Sequence, residues 1–221
     1  AYVVFEALPL TPYGDRPPQL AFEVFRRARA GEPRLEDRLE GVCLIPGAGE
    51  FVLATEPVLR REGLTRTAPE NVSNGQGQTD LLVSLDQLMT QCPNLKRVSL
   101  VIGWFGDDLR AGQCTIRPGV ERRDKPTTPL AWSVSGLGRD GAHLISQAGG
   151  GPAYGGTPSD ETVRQAVAAL KARGLAVTLY PFVFMDIPAD NTLPDPYGGA
   201  RQAAYPWRGR IRGTDGAGAA A

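Results

Sequence analysis

Apolar residues gather into two blocks that stand out from an otherwise mixed chain. In the first, Val98–Ile102 is mostly β-branched or aliphatic and runs into Trp104 and Phe105, then into the adjacent carboxylates Asp107 and Asp108. In the second, Ala176–Phe184 is mostly apolar and ends through Met185 on Asp186. A parallel strand covered on both faces reads this way, and polar groups at its C-terminal end reach the face where α/β folds place chemistry.

Helical periodicity precedes each block. Thr79 or Asp80 starts a helix whose Leu81, Leu82, Leu85, Leu88 and Met89 share one face, and Pro93 stops it. A second helix opens at Thr157-Pro158-Ser159-Asp160, with Thr157 as cap, Pro158 at the first helical position and Asp160 complementing the dipole. Val163, Ala166, Val167 and Leu170 then recur at i, i+3, i+4 and i+7 before Gly174. Helix followed directly by strand predicts an α/β fold.

The remaining segments are less regular. Gly41–Ile45 and Glu50–Ala54 flank P-G-A-G and predict a hairpin or a pair of short strands, and Ala131–Ser135 predicts a further strand of the fold. Arg60–Gly77 predicts an irregular loop, and Pro188–Gly213, rich in Pro, Gly and aromatics, predicts loops over one face. The Gly47–Gly49 and Gly149–Gly156 tracts lack the following helix or the lysine of a phosphate loop. At the start, Tyr2–Phe5 and Leu20–Phe25 are short β-type runs, and the mixed charge of Arg26–Glu40 reads as a linker. The domains expected are therefore residues 1–40, residues 41–213 and a low-complexity tail at 214–221.

Composition narrows the function classes. The 24 basic and 24 acidic residues balance to a formal charge of zero, which argues against nucleic-acid binding by charge. Cys43, Cys92 and Cys114 are isolated, which is neither a disulfide framework nor a zinc spacing, and synthesis in a reducing cytosol fits them. No apolar run reaches the roughly 20 residues of a membrane helix, and no signal-peptide pattern opens the chain. Beginning without methionine and ending in G-A-G-A-A-A, the chain reads as a piece of a longer protein. No cofactor and no metal are expected.

Several separated motifs carry a resemblance: W-F-G-D-D-L-R from Trp104, Y-G-G-T-P-S-D from Tyr154, L-Y-P-F-V-F-M-D-I-P from Leu179, D-P-Y-G-G from Asp195 and Y-P-W-R-G-R-I from Tyr205. Together they resemble the opening part of the TIM-barrel-like domain of the baseplate hub proteins of gene transfer agents and phage tails. The likeness runs from about Glu40 to Gly213, and the first forty residues resemble the end of the hub-type domain that precedes that barrel. The resemblance implies an α/β fold, a partial TIM-barrel-like (βα) fragment preceded by a short β-rich hub segment. It also implies a structural role at the tail tip of a virion-like particle, made in the bacterial cytoplasm. The implied partners are other tail and baseplate proteins, further copies in a hub ring, DNA as passing cargo, and cell-envelope polysaccharide.

Glycoside-hydrolase-like barrels share that architecture, so an enzymatic alternative stands beside the structural one. Glycoside hydrolysis needs two flanking carboxylates, one kept protonated, and Asp107, Asp108 and Asp186 are the residues available for it. No catalytic role is assigned to them, because the same carboxylates could cap loop amides or pair with Arg110, Arg208 or Arg210. His143, the only histidine, lies in no Ser-His-Asp or Cys-His context and reads as a surface or packed residue. Trp104, Tyr154, Tyr197, Tyr205 and Trp207, with Trp132 and Tyr180, suit either a sugar-stacking platform or interface anchors.

Overall fold

The computed structural model describes residues 9, 11, 34–46, 49–63 and 65–206. The chain divides into Ala1–Arg34 and Leu35–Ala221, and the second unit is described by itself. The expected β-type runs at Tyr2–Phe5 and Leu20–Phe25, the tail at 214–221, and Trp207, Arg208 and Arg210 lie outside the described residues.

The unit is mixed α/β. Three parallel strands, β1 (Gly41–Leu44), β2 (Arg97–Gly106) and β3 (Ala176–Met185), lie in the order β1-β2-β3. Helix α1 (Asp80–Gln91) lies between β1 and β2 in the chain, and α2 (Asp160–Ala172) between β2 and β3. One side of the sheet carries the apolar faces of both helices. Leu85, Leu100 and Leu170 are fully buried there, with Leu81, Leu95, Val98, Ala166 and Leu175 around them. Burying one such side chain contributes about 1.5–3 kcal/mol, which is why the periodic residues fix the helix faces. The parallel strands of this sheet number three among the described residues and do not close on themselves; the short antiparallel strand Ile116–Arg117 pairs with the end of β2.

The start of α1 is the one expected, and that of α2 differs. Thr79 is the cap of α1 by backbone geometry, and its buried hydroxyl makes no capping bond and has no hydrogen-bond partner among the described residues. The cap of α2 is Ser159, not Thr157. Thr157 is instead wholly buried, its hydroxyl donating to the Gly103 carbonyl at 2.9 Å and accepting from the Gly119 amide at 3.0 Å. Gly174 ends α2 at φ +78°, a left-handed conformation that costs glycine little.

Three segment readings need correction. Gly41–Leu44 is a strand of the parallel sheet, not a hairpin with Glu50–Ala54; Val42 and Leu44 pack against the helical core. Ala131–Ser135 adds no strand to that sheet. Only Ser133–Val134 pairs, with Leu137–Gly138, around Ser135 and Gly136 at φ +52° and +78°, the paired positive values of a tight hairpin. Arg60–Gly77 is not wholly irregular: Leu59–Glu62 and Arg66–Pro69 pair antiparallel, and Thr127–Thr128 adds a third short strand. Charged residues on both of the longer strands mask the alternation that would have revealed them.

The β3 edge not paired with β2 has a readable hydrogen-bond parity. Ala176 N donates to Lys96 O and Asp186 N to Gly106 O, both at 2.9 Å. Even-numbered residues of β3 therefore direct their amides toward β2, and odd-numbered ones point outward. Pro181 is odd, so its missing donor falls on the edge left unpaired among the described residues and costs no bond to β2.

Candidate functional site

The ends of β2 and β3 bring Asp107, Asp108 and Asp186 to one end of the sheet, with Gly106 opposite Met185 in register. Each carboxylate is engaged by this chain's own groups. Asp107 accepts from the Thr115 amide at 2.8 Å and pairs with Arg117 at 2.9 Å, and it is one-third exposed. Asp108 is buried and takes a two-pronged guanidinium contact from Arg110 at 3.0 and 2.6 Å. It also accepts from the Arg110 amide at 2.8 Å and from Gln202 Nε2 at 2.7 Å. Arg110 outweighs burial here and holds the Asp108 carboxyl far below the usual range. Gln202, itself buried, accepts from the Leu109 amide at 2.8 Å and donates to Pro194 O at 3.0 Å. Asp108 thus fastens the irregular stretch after β3 to the end of β2.

Asp186 has the most telling surroundings. Its side chain has no exposed area, and Oδ2 lies 2.6 Å from His143 Nε2 while accepting from the Ser146 amide at 2.9 Å. Burial pushes its carboxyl up, but His143 and Ser146 outweigh burial and leave it below its ordinary value. Oδ1 is buried with no hydrogen-bond partner among the described residues. The sole histidine is therefore a buried aspartate's partner, a pairing across 43 residues that no local motif announces.

A second polar cluster, unforeseen in the sequence, lies between the turn after β1 and the segment that follows β2. Glu50 has no exposed area; Arg139 contacts both its oxygens at 2.9 Å, and Lys125 lies 3.2 Å from Oε2. Lys125 also pairs with Glu70 at 2.7 Å and Glu121 at 2.8 Å, and Arg60 with Glu70 at 3.0 Å. Burial works against the Lys125 charge, but Glu50, Glu121 and Glu70 outweigh it and raise the ammonium's pKa. Burial likewise opposes the Glu70 anion, and Lys125 and Arg60 bring its pKa below normal. At Gly156 a Cβ would meet Glu50 Cγ at 2.5 Å, so glycine is needed for the close approach. The i, i+4 spacing of Glu121 and Lys125 was the one local hint.

The aromatic candidates do not form one platform. Tyr154 packs between Phe105 and Phe184, with centroids 6.0 and 5.3 Å away, and its hydroxyl donates to Met185 O. Trp104 is half-buried against the small core of Phe51, Val58, Val120 and Trp132. Tyr197 is half-buried with its amide on Asp195, and Tyr205 is half-buried at φ +47° with its amide on Ile187 O. Among the described residues an aromatic row does run along β3, Tyr180, Phe182 and Phe184, with edge-on contacts at 6.5 and 4.8 Å, and Tyr180 is 47% exposed.

A glycosidase acid must carry a proton near neutral pH, which requires a raised pKa. Asp108 and Asp186 are shifted in the opposite direction, and Asp107 is occupied by an arginine. Among the described residues no group of three or more His, Cys, Asp or Glu is placed to hold a metal ion, and no helix is long and apolar enough to cross a membrane. Compared with protein-family models and with curated proteins, the chain has no match in either.

Proposed function

We propose that this chain is a structural component of the tail baseplate hub of a gene transfer agent or related phage-like particle, organising the tail tip for DNA delivery. The observation that carries the reading is the engagement of all three strand-end carboxylates within the chain. They act as pins for the loops around the sheet end, which is a scaffold's use of aspartate rather than a hydrolase's.

On the same reading, β1-α1-β2-α2-β3 is the opening part of a TIM-barrel-like domain. Support comes from the sequential order of the parallel strands with a helix in each connection. Both edges of the sheet also carry grooves among the described residues, one of mixed and one of mainly apolar lining. One of about 490 Å³ lies beside β1 and α1, lined by Leu44, Val52, Leu53 and Leu81. Another of about 520 Å³ lies beside α2 and β3, lined by Ile102, Trp104, Val163 and Leu179. Leu179 is 53% exposed at the second. A further strand on the β3 edge meets outward amides at every odd position except Pro181. The partners are then other tail proteins or further copies of the chain, with DNA only passing through.

The test is made in particles carrying the full-length protein. Asp107→Asn should leave DNA transfer at the wild-type level, whereas Leu179→Asp with Tyr180→Asp should abolish incorporation into the tail tip. Loss of transfer by Asp107→Asn in normally assembled particles, together with wild-type cleavage of cell-wall polysaccharide, would establish the hydrolase alternative instead.

A further inference from the structure

We propose that Asn74 is a site of spontaneous deamidation, and that the acid it becomes loosens the start of α1. Asn74-Gly75 is the chain's one Asn-Gly pair. Two features of the fold favour reaction there.

The first is access. Gly75 is exposed, nothing lies within 4 Å of where a Cβ would be, and its amide makes no hydrogen bond among the described residues. The second is placement of the electrophile. Asn74 Oδ1 accepts from the Gln76 amide at 2.9 Å, a turn that folds the side-chain carbonyl back along its own backbone. That bond also draws electron density from Cγ. The Gly75 nitrogen attacks Cγ, the new N–Cγ bond forms, the Cγ–Nδ2 bond breaks, and ammonia leaves with the proton from the Gly75 nitrogen. Water then opens the cyclic imide to aspartate or isoaspartate, with no change in oxidation state.

The consequence follows from what Nδ2 holds. It donates to Asp80 Oδ1 at 2.7 Å and to Gln78 O at 2.8 Å. Asp80, the first residue of α1, also accepts from the Ser73 amide and hydroxyl, each at 2.9 Å. Burial alone would raise the Asp80 carboxyl, but the Ser73 and Asn74 contacts outweigh it and keep it below its usual value. Deamidation replaces a donor by an anion facing that carboxylate. Gln78 O and Asp80 Oδ1 each lose one donor, and like charges meet where α1 begins. Leu81 and Leu85, in the first two turns of α1, belong to the helical core, so a weakened helix start reaches the core.

The full chain is incubated at mildly alkaline pH and mapped by peptide mass spectrometry. The acid should accumulate at position 74 well ahead of Asn94, which is exposed but followed by Leu95, and of the buried Asn71. Gly75→Ala, which the open space tolerates, should slow the reaction severalfold without changing the melting temperature. Asn74→Asp should lower the melting temperature, and adding Asp80→Asn should restore part of the loss by removing the like charge. Deamidation at Asn74 no faster than at Asn94 overturns the site. Melting of Asn74→Asp at the wild-type temperature overturns the link to α1.

Discussion

In the helical half of the core, Leu85, Leu100 and Leu170 meet with no exposed area and no polar partner among them. Between the turn after β1 and the segment that follows β2, Glu50 is equally buried yet is held by Arg139 and Lys125. That segment contributes only two-residue ladders, such as Gly119–Val120 with His143–Leu144. Backbone pairing there is short, so buried side-chain charges join the segment alongside the small apolar core of Phe51, Val58, Val120 and Trp132. Apolar contact is non-directional and tolerates small rearrangement, whereas a buried charge fails when either partner goes. The two regions should therefore respond to mutation in different ways.

The largest expected effect is at Glu50. Glu50→Ala removes the buried carboxylate of Arg139, while Lys125 keeps Glu70 and Glu121, and should cost about 3–5 kcal/mol. Urea denaturation checks the magnitude, and hydrogen exchange should show the loss concentrated around residues 119–145 while both helices stay protected. Leu100→Ala should cost about 2–5 kcal/mol through lost transfer energy and a cavity. Here the same exchange measurement should show α1 and α2 weakened together. Equal loss of protection everywhere for both variants would dissolve the distinction between the regions.

Acid sharpens the contrast at intermediate size. Asp108, Asp186 and Glu70 all have carboxyls held below their ordinary values. Their contribution is present in full above the unfolded pKa values of about 4, and it is lost as pH falls through the lower folded values. The urea midpoint should therefore drop as pH falls below about 4, and the Asp108→Asn variant should show a shallower drop over the same interval. An identical slope in that variant would remove Asp108 from the account. The smallest effect is at Asp107, whose partner Arg117 is half-exposed: Asp107→Asn should change stability by about 0–1 kcal/mol in a urea titration.

Much of the α/β core is legible in the sequence. Leu81 and Leu85 on one helix, Ala166 and Leu170 on the other, and the runs Val98–Ile102 and Ala176–Phe184 occupy the elements their spacing predicts. So did the delivery of Asp107, Asp108 and Asp186 to strand ends. The Leu59–Pro69 hairpin was hidden because Arg60, Arg61, Glu62 and Arg66 leave no apolar alternation to read. Ala131–Ser135 looked like a sheet strand because β-type composition does not reveal what a segment pairs with.

Periodicity works because one helix face or one strand run is a local property, set by neighbours three, four or two positions away. The partners of the buried charges are not local. His143 meets Asp186 across 43 residues, Gln202 meets Asp108 across 94, and Arg139 meets Glu50 across 89. Sequence alone determined which apolar residues of the two helices face the core and which strands end on carboxylates, but Ala176–Phe184, expected to be covered on both faces, is a strand that is largely exposed or half-buried. The tertiary structure alone decided that those carboxylates are tied within the chain, because a charge's partner is chosen by how the chain folds back on itself.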